Sequence, residues 1–181
     1  RVDMAIASSF DLMLTLNTLL EQVTNLLGVD AADVLVFDQG ESTLKYTCGR
    51  GFRGQALRFT NLGLGDGYAG RAALERRTIH IPDIQKERGD LNKSTSLEGE
   101  EFISYWGVPL LGKGHIQGVL EVFNRQPLTV DQEWLDFLET LAGQAAIAID
   151  NVRLFDHLER SNADLSMAYD DLKLYQDLSV Q

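Results

Sequence analysis

The sequence predicts an α+β fold in which an antiparallel sheet sits between two helices, and three observations lead there. Helical periodicity occupies both ends of the chain, short β-rich runs fill the middle, and the clearest of those runs come in pairs split by turn residues. From Phe10 to Leu27 the apolar residues Phe10, Met13, Leu14, Leu20, Val23, Leu26 and Leu27 recur at three and four, which makes one helical face, and Gly28 follows as a stop. Val34 to Phe37 and Leu44 to Cys48 then flank "DQGES", whose Asp, Gly and Ser supply turn chemistry, so the two runs read as a hairpin. In "TIHIPDI" Ile79 and Ile81 share one side, and Pro82 restricts the run to an edge or a strand end. "YWGVPLL" and "IQGVLEVFN", split by Gly112, Lys113 and Gly114, form a second hairpin. Between the hairpins the mostly polar stretch from Gln85 to Glu101 has no period and reads as a lid or binding loop.

After Pro127 a helical pattern runs without a break from Val130 to Gln176, opened by Thr129 and Gln132 as a capping box. At about 1.5 Å per residue it would reach on the order of 70 Å, longer than a domain of this size. Its first half must therefore pack on the sheet and its second half must find another partner. The small residues Ala142, Ala145, Ala146 and Ala148 let that first half approach closely, either onto the sheet or across a dimer interface. Farther on, Leu158, Leu165 and Leu172 recur every seven residues with Phe155, Asn162 and Tyr169 three before each, a short coiled-coil seam competing with a plain leucine stripe.

Composition limits the function. The chain of 181 residues is 44% hydrophobic and 24% charged, as in ordinary globular proteins, and carries a formal net charge of -11. So acidic a chain is a poor partner for nucleic acid or an anionic membrane face. The longest strictly apolar run, Ala145 to Ile149, is far short of a membrane span. Arg1, Asp3 and Asp11 interrupt any leader pattern, so a cytoplasmic location is expected, and a start at Arg rather than Met suggests a piece of a longer protein. A single cysteine, Cys48, excludes an internal disulfide.

Leu64 to Ile84, "LGDGYAGRAALERRTIHIPDI", holds a literal G-x-G-x-x-G at Gly65, Gly67 and Gly70, with Asp83 at a distance that imitates a dinucleotide site. Too few residues separate Gly70 from the next strand for a parallel crossover, and the remaining strands pair as hairpins. The expected role is a set of tight bends and a short helix over Tyr68 to Glu75. Other signals fail their context. Ser42 and Lys45 make an S-x-x-K in a turn, Arg88-Gly89-Asp90 is a chance tripeptide, and Glu98, Glu100 and Glu101 read as a solvated loop face. His80, His115 and His157 are too scattered for a metal site, although one histidine could still be an axial haem ligand.

The serial order of the glycine segment, the Ala-rich helix, "TIHIPDI", "SYWGVPLLGKGHIQGVLEVFNR" and "LTVDQEWLDFLETLAGQAAIAIDNVRLF" resembles a GAF domain, a PAS-like small-molecule sensor. The resemblance covers about Ser9 to Phe155. It implies five or six antiparallel strands, with the first and last helices on one face and a ligand pocket under loops on the other. It also implies a regulator attached to an output domain such as a kinase, a cyclase or phosphodiesterase, or a transcription activator. Bilin-binding members carry a cysteine near the long loop. This one has none there, so no covalent bilin is expected; "LNKS" at Leu91 to Ser94 is too little of the cyclic-nucleotide constellation, and one cysteine is too few for the reductases of this fold.

The ligand would be an unknown small molecule between the sheet and the segments Phe52 to Tyr68 and Gln85 to Glu101. Candidate lining residues are Tyr46, Phe52, Tyr68, Ile84, Tyr105, Trp106 and Glu121, aromatics near flexible glycines with a few polar handles. Glu121, between Leu120 and Val122, must be paired, exposed or facing a polar cavity, and the last is expected. Residues 1–9 then serve as an incoming linker or helix, 10–152 as the sensor, and 153–181 as a signalling helix that pairs in a homodimer. A dimerising module without a ligand is the alternative. An enzyme using a dinucleotide is less favoured, because no nucleophile, base and oxyanion-donor set converges.

Overall fold

The computed structural model describes residues 2–87 and 97–179, with side chains from Ser9 onward. The Arg88-Gly89-Asp90 tripeptide, "LNKS" and the middle of the expected lid lie outside the described residues. Helix α1 (Val2–Leu27) leads through Gly28, at φ 68, into β1 (Ala31–Asp38) and β2 (Thr43–Arg50). A 3-10 turn over Ala56–Phe59 precedes β3 (Asn61–Gly63), α2 (Gly67–Glu75) and β4 (Ile79–Ile81). A second 3-10 turn, Ile84–Lys86, is followed by β5 (Ser104–Gly112), β6 (His115–Asn124) and α3 (Gln132–Ser179).

The strands form one antiparallel sheet in the order β3-β2-β1-β6-β5-β4. The β5–β6 hairpin closes on Lys113 and Gly114, both at positive φ, the two-residue turn whose twist suits paired strands. β4, the strand that ends at Pro82, is an edge strand.

Alternation gives the sheet two buried faces. On the first, Ala32, Val34, Val108, Leu110, Leu120 and Val122 pack under Leu16, Leu20 and Val23 of α1 and Leu138, Leu141, Ala142, Ala145, Ala146 and Ile149 of α3. Ala142, Ala145 and Ala146 of α3 are thus buried on this face, while Ala148 is only half-buried. Trp134 of the first turn of α3 donates its indole N–H to the Leu27 carbonyl at 3.0 Å, which joins the end of α1 to the start of α3. The cap of α3 is Asp131, whose Oδ1 accepts the Trp134 amide at 2.8 Å. The capping box expected from Thr129 therefore starts too early: the carboxylate one residue before the helix reaches its free amides.

Two β-bulges redirect side chains. Val34 pairs with Cys48 and Leu35 with Tyr46, so Thr47 is an extra residue, and Tyr46 turns to the face opposite Cys48. In β6 the pairs Leu110–Gly118 and Leu111–Ile116 leave Gln117 extra. Gln117 is buried and donates to Asp150 Oδ1 at 3.2 Å, while Arg153 donates to the Gln117 side-chain oxygen and to the Phe37 carbonyl. These bonds anchor α3 to the sheet, and beyond Ile149 the helix has no buried residue.

The triple-glycine segment is a bend that leads from β3, at one edge of the sheet, into α2 on the second face. The Gly65 amide, which a phosphate would need, donates instead to the Gly70 carbonyl at 2.8 Å, and the Asp66 amide donates to Gly63 at 3.1 Å. A Cβ on Gly70 would sit 2.5 Å from the Gly63 carbonyl oxygen. Gly70→Ala is expected to destabilise the protein by about 1–3 kcal/mol through overpacking, read as a lowered denaturant midpoint with an unchanged slope.

Candidate functional site

On the second face, the one away from α1 and α3, the sheet carries a pair of acids at its centre. Asp33 of β1 is the register partner of Glu121 of β6, and the row continues to Gly49 in β2 and Gly107 in β5. Asp33 is fully buried and Glu121 is 6% exposed. The flanking glycines matter because a Cβ on Gly49 would meet the Tyr46 hydroxyl and the Phe52 ring, and one on Gly107 the Tyr105 hydroxyl. Two tyrosines can therefore lean over the acid pair from either side.

Tyr105 donates its hydroxyl to Glu121 Oε2 at 2.5 Å, a short bond of the charge-assisted kind. Neither Asp33 oxygen meets an N–H or hydroxyl donor among the described residues. The hydrogen bond left to it is a proton shared with Glu121. Burial pushes the Asp33 carboxyl well above the usual carboxylate range, and the neighbouring Glu121 charge pushes it further. Burial also raises Glu121, but the bonds from Tyr105 and Asp33 oppose that rise. Asp33 thus holds the proton and Glu121 the charge, the arrangement two adjacent buried acids adopt because both cannot ionise. Burial, then the charge on Glu121, raises Tyr105, which keeps its phenol a donor.

Six of the seven expected lining residues share this face. Tyr46, Phe52, Tyr68, Ile84 and Tyr105 belong to its apolar cluster, and Glu121 lies among them. Tyr68 tilts against Tyr105 at 5.0 Å, and its buried hydroxyl has no partner among the described residues. Trp106 stands apart. As the strand neighbour of Tyr105 it points the other way, into the helix layer, where it stacks on His80 at 3.8 Å and leans on Trp134. Sequence reasoning missed Asp33, although its place inside "ADVLVF" is the same signal that singled out Glu121.

A clamp holds the cover. Glu100, buried at 3% exposure, accepts the amides of Arg53 and Gly54 at 2.9 Å each. Arg125, just past β6, donates to Glu100 Oε2 at 2.9 Å and to the Glu100 carbonyl at 2.8 Å, and lies over the Phe102 ring. Glu100 is therefore no solvated loop residue; a contact across the fold, invisible in the sequence, buries it. Glu101 does stay exposed, near Arg53. Behind the clamp a cavity of about 180 Å³ is lined by Tyr46, Gly49, Phe52 and Leu57, with Arg50 and Arg58 at its walls.

Cys48 lies on the helix face, where burial pushes its thiol up to about 12. Lys45, half of the S-x-x-K, is held by Asp38 at 3.2 Å and Glu41 at 2.9 Å. Among the described residues no group of three His, Cys, Asp or Glu gathers to hold a metal, and no helix is long and apolar enough to cross a membrane. On α3, Leu158, Leu165, Tyr169 and Leu172 are exposed and Phe155 is half-buried; Ile147 and Leu154 continue the exposed row back toward the sheet. Asn162 is exposed within it.

A family model described as the GAF domain matches residues 14–150. The GAF domain of a phosphoenolpyruvate-protein phosphotransferase from Coxiella burnetii is similar with a TM-score of 0.72 at 17% identity, over 86% of this chain and 96% of that one. A domain of a protein described as a two-component sensor histidine kinase from Sinorhizobium meliloti 1021 gives 0.64 at 19% identity, over 80% and 94%. Free methionine-R-sulfoxide reductase from Neisseria meningitidis, solved with its substrate, gives 0.65 at 17% identity, over 79% and 80%. Identities this low show a shared fold. A search of curated proteins finds no match.

Two outcomes follow from the site. Because the folded Asp33 binds its proton more tightly than the unfolded residue does, wild-type stability falls as pH rises above about 4, by about 1.4 kcal/mol for each unit of the shift. Asp33→Asn imitates the protonated acid and lacks that slope, so its advantage in melting temperature should grow from pH 4 toward neutrality. Glu100→Ala leaves two amides without their acceptor and takes the carboxylate from Arg125, which keeps only main-chain carbonyls; a loss of about 3 kcal/mol is expected, with faster hydrogen exchange at Arg53 and Gly54.

Proposed function

The chain belongs to the GAF domain family, and we propose that it is a regulatory sensor: it binds a small molecule on the second face of its sheet and passes its state through α3 in a homodimer. GAF domains occur in signalling proteins, and one structural neighbour comes from a protein described as a sensor histidine kinase. The observation that carries the sensing half is the buried acid pair, short of donors among the described residues, beside the Tyr68 hydroxyl, which has no partner among them either. Buried polar groups are normally satisfied, and a ligand is one way to satisfy these. The transmission half rests on the exposed row Leu154, Leu158, Leu165 and Leu172, which continues past the last anchor of α3. A fused output domain such as a kinase, a cyclase or phosphodiesterase, or a transcription activator would receive the signal. Neither nucleic acid nor membrane is a partner in this reading, and its place is the cytoplasm.

One observation favours a dimerising module without a ligand: Tyr105 and Phe123 already fill much of the second face, each at 1% exposure or less. An enzyme is the weaker reading. The single cysteine is buried on the wrong face with its thiol raised, so it offers no nucleophile for the chemistry named for the Neisseria neighbour.

Sedimentation equilibrium should find a dimer. Leu158→Glu with Leu165→Glu should weaken it at least about a hundredfold, since each buried leucine contributes about 1.5–3 kcal/mol, while the far-ultraviolet dichroism keeps its shape. A monomer at high concentration removes the transmission half. Mass spectrometry of gently denatured protein, backed by a metabolite thermal-shift screen, should reveal a bound small molecule, and silence in both removes the sensing half.

A further inference from the structure

We infer that the Asp33, Glu121 and Tyr105 cluster is the recognition point for a small organic molecule bearing a primary ammonium group, which enters past Tyr46 and Phe52 and seats its cation between the two acids. This rests on the sensing half of the function proposed above and names the class of its ligand.

Buried acids are ordinarily neutralised by a basic side chain. Here, among the described residues, no lysine or arginine pairs with Asp33 or Glu121, although the two acids face each other in the central strands. No basic side chain among the described residues stands where a cation would balance the pair. What surrounds it suits an ammonium: the rings of Tyr46, Phe52, Tyr68 and Tyr105 share the face, and ring faces attract cations. The buried Tyr68 hydroxyl, which has no hydrogen-bond partner among the described residues and lies close enough to Tyr105 to bear on its ionisation, would accept a third N–H. Gly49, on the cavity wall, is the register partner of Asp33, and the Tyr46 hydroxyl and Phe52 ring lie over it, so those two rings must swing aside to admit the ligand from the cavity to the acids. Arg50 and Arg58, which line the same cavity and pair with no acid among the described residues, would suit a carboxylate at the far end of the ligand.

The charges balance. The free site holds one proton between two acids; with the ammonium seated, both acids are ionised and that proton leaves to solvent. The other titratable groups bearing on the pair are Tyr46 and Cys48 of β2, Tyr105 of β5 and, through Tyr105, Tyr68 of α2, with Arg58 bearing on Tyr46 and the Glu87 carboxylate on Tyr68. The tyrosines and the cysteine are all shifted upward and uncharged at neutral pH.

The probes are n-butylammonium, 5-aminopentanoate and butyrate, titrated by calorimetry into the full chain in two buffers of different ionisation enthalpy. The two ammonium probes should bind with release of about one proton each, and the amino acid binding more tightly would point to the arginines. Asp33→Asn should weaken both at least tenfold and abolish proton release, while Tyr68→Phe, with the acids intact, should weaken them several-fold. Tyr68→Phe should melt near the wild type and Asp33→Asn at or above it, with the margin growing toward neutral pH, which separates recognition from folding. Butyrate binding as well as butylammonium, or Asp33→Asn leaving the amines unaffected, overturns the ammonium assignment yet leaves a sensor with another ligand class. Failure of both ammonium probes to bind overturns it too, and the co-purified-ligand search then decides the sensing half separately.

Discussion

The register between β1 and β6 is the constraint on which the rest of the molecule depends. Ala31 to Val36 lie opposite Phe123 to Gly118, so Val34 and Leu120 face the helices while Asp33 and Glu121 meet on the other side. A slip by one residue would invert one strand against the other, put one of the two carboxylates under α1 and α3 and turn aliphatic residues to the opposite face. Gly118 helps to exclude that slip, since a Cβ there would strike the Leu35 carbonyl. Around this pair the two bulges fix the remaining directions: the extra Thr47 sends Tyr46 over the acids, and the extra Gln117 reaches α3.

The acid pair works against the stability of the sheet that holds it. An apolar pair of similar volume at Asp33 and Glu121 would remove a desolvation penalty and satisfy the same packing. The fold instead limits the penalty with one shared proton and one phenol. Polar groups kept in this way fit a site better than a scaffold, because the scaffold is already supplied by the aliphatic layer on the opposite face.

Much of this architecture was legible in the chain because it depends on local chemistry. Gly28, "DQGES", Lys113-Gly114 and Pro82 each dictate a stop, a turn or an edge without help from distant residues. The site was legible only in part. Strict alternation along β5 already separates Trp106 from Tyr105, yet both were expected in one pocket. A bulge leaves no mark in the sequence, since one additional residue looks like any other. Glu100 reads as polar loop until Arg125 and the amides of Arg53 and Gly54, all far away in the chain, close on it. Asp131 supplies the cap in place of Thr129 because the helix begins at Gln132, which leaves Asp131 at the position just before its first turn.

The bonds from Arg153 to Gln117 and Phe37 make a fulcrum. Past them α3 continues to Ser179, about 39 Å at about 1.5 Å per residue, with none of its residues buried by the rest of the chain. A rod of that length magnifies angle into travel, and a pivot of about 5° at the sheet displaces its tip by roughly 3 Å. A rearrangement too small to disturb the packing of the sheet would still arrive at the far end as a step comparable to the spacing of adjacent side chains.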